Sequence, residues 1–193
     1  MSEKQINMLS KLKEIQREQT DTWINYWHQF SDLGSWQFWV MTAFFLLPLL
    51  FLFLFLDKKN ALLFGFYGYN VHVFFTYADA IGANMLKWFY PYKLYPLLAS
   101  SISLDVSLVP VSYMFVYQWT YRHKKNYYLY LILLSAVFAF VFKPILLSAG
   151  LFDMNKGTSY IHLFVIYITV GIIAKWITNL FVYFEKGKSR NTQ

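Results

Sequence analysis

There is no cysteine among the 193 residues. Disulfides, thiolate metal sites and a cysteine nucleophile are excluded at once. Charge is also scarce, at 14% of residues, where a soluble domain carries about 25%. Acids are scarcer still, ten against seventeen Lys and Arg. There is no P-loop, no HExxH, no GxSxG and no dinucleotide-binding glycine pattern, so soluble-enzyme chemistry of those kinds is excluded. No internal repeat and no low-complexity tract is evident.

What fills the chain is apolar. Hydrophobic residues make up 58% and aromatic residues 22%, well beyond the soluble norm of about 45–50% apolar. They fall into runs of the length a bilayer demands, about 20 residues. The sequence predicts an all-α integral membrane bundle of five transmembrane helices, preceded by an amphipathic helix. The first span covers residues 36–56 and contains FFLLPLLFLFLFL, with Pro48 as a site for a kink. The second covers 61–81, with Gly65 and Gly68 as small surfaces for helix contact. The third lies within 94–119, entering the bilayer at Leu94 or nearer Ile102. The fourth covers 127–147, and the fifth starts near Thr158 and ends between Trp176 and Phe184. Residues 1–35 read as the amphipathic helix, 36–185 as the transmembrane domain and 186–193 as a basic cytoplasmic tail. No cleavable signal is expected, because the first long apolar run sits behind a polar tail and exceeds a signal-peptide core.

Charge placement gives orientation. Lys58, Lys59, Arg122, Lys124, Lys125, Lys186, Lys188 and Arg190 fall on one side, and Lys87, Lys93 and Lys156 on the other. Basic loops near span ends stay in the cytoplasm, so the first group is expected inside and the N-terminus outside. The net charge of +7 thus serves topology and anionic lipid rather than nucleic acid. Trp23, Trp27, Trp88, Trp119 and Trp176 sit where membrane-interface anchors are expected. In the tail, Trp23, Tyr26 and Trp27 suit a helix lying on the lipid surface. The same periodicity suits packing on a partner protein or a second copy.

Ionisable residues at membrane depth are the candidates for chemistry, since each costs about 2.5–3.5 kcal/mol at the bilayer centre. Asp79, Asp105 and Lys143 all fall in the outer half of their spans. The expectation is a buried cluster with Lys143 within salt-bridge reach of Asp79 or Asp105. His72, Thr76 and Asp79 share one face of span two, and Ser101, Asp105 and Ser112 one face of span three. Those faces can line a polar cavity with His72 at its floor, chemically suited to a proton-linked role. The plainer alternative makes Asp79 a span end, Asp105 interfacial and Lys143 a snorkelling side chain. Lys175, followed by Trp176, reads as the inner end of span five. His162 is the only other histidine near membrane depth, but it differs from His72 by roughly 12 Å along the helix axes. One haem iron cannot take both. No cofactor, metal or catalytic residue is expected.

Several segments carry a resemblance: LLFGFYGYNVHVFFTYAD in span two, the WFYPYKLYP loop, VPVSYMFVYQW in span three and KPILLSAGLF at the end of span four. Over roughly residues 36–184 the chain resembles a family of small multi-spanning membrane proteins from Bacillus and Clostridium relatives with no assigned activity. The resemblance implies a bacterial cytoplasmic membrane and supplies no catalytic residues. The expected function is a non-enzymatic membrane component that binds lipid or a membrane-protein partner, a second copy included. A small oligomeric transporter or channel, and a lipid-modifying enzyme using Asp79, Asp105 or His72, are the alternatives.

The orientation has a direct test. A single cysteine at Asn126, placed in this cysteine-free chain, is expected to resist a membrane-impermeant thiol reagent in intact cells, and one at Ser2 to react. The reverse labelling pattern would invert the topology.

Overall fold

The computed structural model describes residues 1–190, with side chains through Lys186. It is helical almost throughout. Helix α1 (Glu3–Tyr26) runs into a single π turn at Trp27–Ser31, and α2 spans Trp36–Phe55. Helix α3 spans Ala61–Asn84. A π segment, Ser103–Leu108, leads into α4 (Val109–Arg122). Helices α5 (Tyr127–Val137) and α6 (Lys143–Ser148) are joined by a π turn at Phe138–Phe142 into one continuous rod, and α7 covers Tyr160–Arg190. The backbone of the segment read as a tail is therefore helical as far as Arg190; residues 191–193 lie outside those described.

Three of these helices are long and apolar enough to cross a membrane: Trp36–Phe55, Tyr127–Ser148 and Tyr160–Lys186. Their starts are set by side-chain caps that satisfy otherwise orphaned N–H groups. The Ser35 hydroxyl accepts from Phe38 N at 3.3 Å, and the Asn126 amide oxygen accepts from Tyr128 N at 3.0 Å. At α7 the His162 Nδ1 accepts from Ser159 N at 3.1 Å. His162 is thus exposed and engaged in capping, and faces no second histidine.

Helix α3 is more polar than these three, and its position explains why. It is the central helix, packed on α7 along one side and on α4 and the Ser103–Leu108 segment along another. Protein, not lipid, surrounds much of it, so Asn70, His72 and Asp79 meet protein partners. Gly68 lies against the Met114 side chain of α4 with no room for a Cβ, whereas Gly65 faces open space. Only the first of the two glycines marks a close helix contact.

The two ends of the bundle differ. At one end Gln118 of α4 holds the end of α2. Its Nε2 donates to the Phe55 carbonyl at 3.0 Å, and its Oε1 accepts from Asp57 N at 2.8 Å. Lys58, Lys59 and Arg122 gather beside this tie. At the other end a two-stranded antiparallel ribbon forms from β1 (Trp88–Phe89) and β2 (Asp153–Met154). It joins the loop after α3 to the loop before α7, and Asn155 secures it further by donating to the carbonyls of Lys87 and Leu86.

The N-terminal helix meets the bundle only at its foot. No residue of α1 is buried. The Trp23 ring stacks on Phe89 with centroids 5.1 Å apart, and Lys93 Nζ sits 3.8 Å over the same ring. Trp27 Nε1 donates to the Lys93 carbonyl at 2.8 Å, and Lys93 N donates to the Ser31 hydroxyl at 3.1 Å. Trp23 and Trp27, expected on the lipid surface, are engaged with the protein's own loop.

Replacing Trp27 with alanine is expected to undock α1 selectively, because it removes a half-buried hydrogen bond and a ring together, worth about 2 kcal/mol. Hydrogen exchange in residues 27–35 should quicken roughly tenfold or more, while exchange in α3 stays as in the parent protein. Equal quickening in both places would mean that this clamp does not hold α1 independently of the core.

Candidate functional site

Asp79 lies in the last turns of α3, at the ribbon end, and is 4% exposed. Its neighbour one turn on is Gly82, where a Cβ would collide with the Trp88 ring. That glycine lets the indole lie flat against α3, and Trp88 Nε1 donates to Asp79 Oδ1 at 2.8 Å. Side chains alternate along a strand, so Trp88 and Tyr90 both turn inward while Phe89 turns out toward Trp23. The Tyr90 hydroxyl donates to the same Asp79 Oδ1 at 2.7 Å. Ser101 contributes its backbone N–H to Oδ2 at 3.3 Å. Two side chains and one backbone group therefore serve one carboxylate.

Lys143 begins α6, directly after the Phe138–Phe142 π turn, and is 2% exposed. A π turn holds one residue more than an α turn and rotates everything beyond it. Here the residue after it points into the bundle. The Lys143 amine donates to the Tyr90 hydroxyl at 2.9 Å and lies 3.9 Å above the Phe152 ring. Lys143 reaches Asp79 through a relay: amine to phenol, phenol to Asp79. The physical reason is the ribbon, which inserts Tyr90 between the two charges.

Asp105 sits in the second π segment, 1% exposed. Its backbone carbonyl accepts from His72 Nδ1 at 2.9 Å. The Thr76 hydroxyl lies 3.3 Å from the same nitrogen. Neither oxygen of the Asp105 carboxyl, though both are buried, has a hydrogen-bond donor. The group is packed beside Asp79, the hydrogen-bonded member of the acid pair. His72 itself is half-buried and anchored to backbone rather than to a carboxylate.

The structure thus brings Asp79, Asp105 and Lys143 into one buried region, with Ser101 joining through its backbone and His72 at the margin. It does not open a polar cavity there. The void bounded by Asp79, Trp88, Lys143 and Tyr167 is about 10 Å³, at or below the space one water needs. Among the described residues no group of three His, Asp or Glu side chains is placed to hold a metal ion.

Two residues were misjudged from sequence. Trp88, expected as an interface anchor, and Tyr90, expected in the same aromatic belt, are core residues at 6% and 1% exposure. A loop rich in aromatics looks like an interface, and nothing in its composition says that half of it folds inward. Trp119 and Trp176 remain on the surface. Lys175, read as an inner-interface residue, lays its amine 3.8 Å over the Tyr117 ring and 5.6 Å from Tyr127. It caps a second, tyrosine-rich cluster in which the Tyr67 and Tyr127 hydroxyls meet at 2.6 Å. Tyr127 then donates to the Gly171 carbonyl at 3.0 Å.

No family model, no curated protein and no solved structure matches this chain. The geometry alone carries the functional reading.

The relay predicts an asymmetric mutant pattern. Asp79→Asn is expected to lower stability by about 2 kcal/mol or more, because it disturbs a hydrogen-bonded, charge-paired group. Asp105→Asn should cost little, since no donor is lost. A cycle on Lys143→Met and Asp79→Asn should show coupling of about 1–3 kcal/mol, and Tyr90→Phe should abolish most of it. Unfolding titrations in detergent micelles measure all three. Equal losses at Asp79 and Asp105, with coupling untouched by Tyr90→Phe, would refute the relay.

Proposed function

We propose that the chain is a five-span, non-enzymatic membrane component that works by association with lipid or with a membrane-protein partner, a second copy included. The observation that carries this reading is the contrast between its polar and apolar spaces. The polar cluster closes on itself around about 10 Å³, leaving no room for a solute or a headgroup. Two large clefts lie on the outside: an apolar one of about 550 Å³ between α2 and α4, and one of about 640 Å³ between α1 and the loop bearing Phe89 and Pro91, lined by aromatic rings together with Glu18, Gln19 and Thr22.

Length supports five spans. Helix α3 has 24 residues, about 36 Å, and the six-residue π segment with the fourteen residues of α4 makes about 30 Å. Both suffice for a hydrocarbon core of about 30 Å. The bundle is then oriented with the end bearing Lys58, Lys59, Arg122, Lys124 and Lys125 in the cytoplasm and the ribbon and α1 outside. The resemblance noted for residues 36–184 supports a bacterial cytoplasmic membrane as the location.

Buried charges in this reading fix helix register and depth and carry nothing across. The test is paired. Extraction of the full chain from native membrane in polymer-bounded discs, followed by mass spectrometry, should recover a specific lipid or protein in stoichiometric amount. Liposomes containing the purified protein should pass no proton or ion current above empty liposomes. Flux that disappears with Asp79→Asn in a folded protein would replace this reading with transport.

A further inference from the structure

Two side-chain hydrogen bonds tie helix α2 to the bundle, Met41 and Pro48 are buried against it, and a cleft runs along one side of the helix between the two ties. Near its middle, the Ser107 hydroxyl donates to the Phe45 carbonyl at 2.6 Å. This is next to the Phe44 carbonyl, which Pro48 leaves without its usual N–H donor. At its end, Gln118 grips the Phe55 carbonyl and Asp57 N. From Phe45 to Phe55 is ten residues, about 15 Å. Along that length a cleft of about 550 Å³ opens between Leu47, Phe51 and Phe55 on α2 and Val111 and Phe115 on α4. Its single polar side chain, Ser112, is already committed, donating to the Leu108 carbonyl at 2.7 Å. The cleft therefore offers a ligand an almost wholly apolar surface.

Three features say what occupies it. Its length of about 15 Å is half of a hydrocarbon core of about 30 Å, the depth of one leaflet. Its walls are apolar from end to end. At the end marked by Phe55 it meets Lys58, Lys59 and, two turns beyond Phe115 on α4, Arg122, all exposed. The one acid there, Asp57, is turned to local structure: its Oδ1 accepts from Lys59 N at 3.0 Å and its Oδ2 from the Asn60 amide at 3.1 Å. Three cationic heads stand against this one carboxylate, which attracts Arg122 and Lys59, so positive charge remains in excess.

We propose that this cleft binds one anionic phospholipid of the cytoplasmic leaflet, an acyl chain lying between α2 and α4 and the phosphate held by Lys58, Lys59 and Arg122. The proposal rests on the lipid-association reading and gives it a site and a headgroup charge. Basic residues at a membrane surface strengthen attraction to anionic lipid, each by about fivefold. The apolar walls favour any acyl chain, so the headgroup supplies the selectivity.

The full chain is purified in a neutral detergent, offered phosphatidylglycerol and phosphatidylcholine in equal amount, and weighed intact by native mass spectrometry. The parent protein should retain one phosphatidylglycerol in preference to phosphatidylcholine. Lys58→Gln, Lys59→Gln and Arg122→Gln combined should erase that preference, a loss of the order of a hundredfold, without altering the thermal unfolding of these exposed positions' host. Ser112→Phe, which fills the cleft, should lose both lipids. Retention of phosphatidylglycerol by both the charge-depleted and the filled variants, retention of no lipid by the parent, or a dimer that forms in the parent and not in Ser112→Phe would each overturn the proposal. Should Ser112→Phe unfold, the charge-depleted variant decides alone. Loss of this site would leave association through another surface intact, so its failure is separable from failure of the broader reading.

Discussion

The Tyr90 hydroxyl is the point on which the bundle closes. It receives the Lys143 amine at 2.9 Å and passes a hydrogen bond to Asp79 at 2.7 Å. Lipid cannot solvate either charge, and an unpaired ion at that depth is costly. The protein therefore supplies the solvent itself, in the form of a phenol, an indole and a backbone N–H around one carboxylate. Three separate pieces of chain converge to do it: the end of α3, the β1 ribbon with its following loop, and the start of α6. The ribbon exists to deliver Trp88 and Tyr90, and the π turn before Lys143 delivers the amine.

The close packing of this cluster also explains the shape of the spaces left over. Where polar groups meet, packing is tight and almost nothing remains empty. Where helices meet without polar ties, as along the middle of α2, a cleft is left to be filled from outside. Helix α2 is held by Ser107 and Gln118 at two carbonyls, buries Met41 and Pro48, and presents most of its other apolar side chains outward. A helix tied this way suits lipid as a neighbour.

The sequence made the helices legible because hydropathy and length are what a bilayer selects. It made Asp79, Asp105 and Lys143, all buried, stand out for the same reason, since a charge within an apolar run is conspicuous. It did not make their partners legible. Trp88 and Tyr90 lie in WFYPYKLYP, whose composition suits an interface as well as a core, and a two-residue strand is too short to display a period of two. The π turns carry no compositional signature, so the rotation that turns Lys143 inward was invisible. His162 and Lys175 looked like candidates because of residue type; the cap made by the first and the aromatic shelf under the second depend on neighbours distant in sequence.

The relay has a consequence for the order in which the chain is made. Asp79 and Tyr90 are synthesised long before Lys143, which follows Tyr90 by 53 residues. Through that interval the carboxyls of α3 and the Ser103–Leu108 segment have Lys93 nearby but lack the amine that closes the relay. The first half of the protein is thus made with the relay incomplete, and the arrival of the α5–α6 rod is the step that closes it. A nascent chain halted before Lys143 would be a natural client for whatever machinery shelters or destroys unfinished membrane proteins.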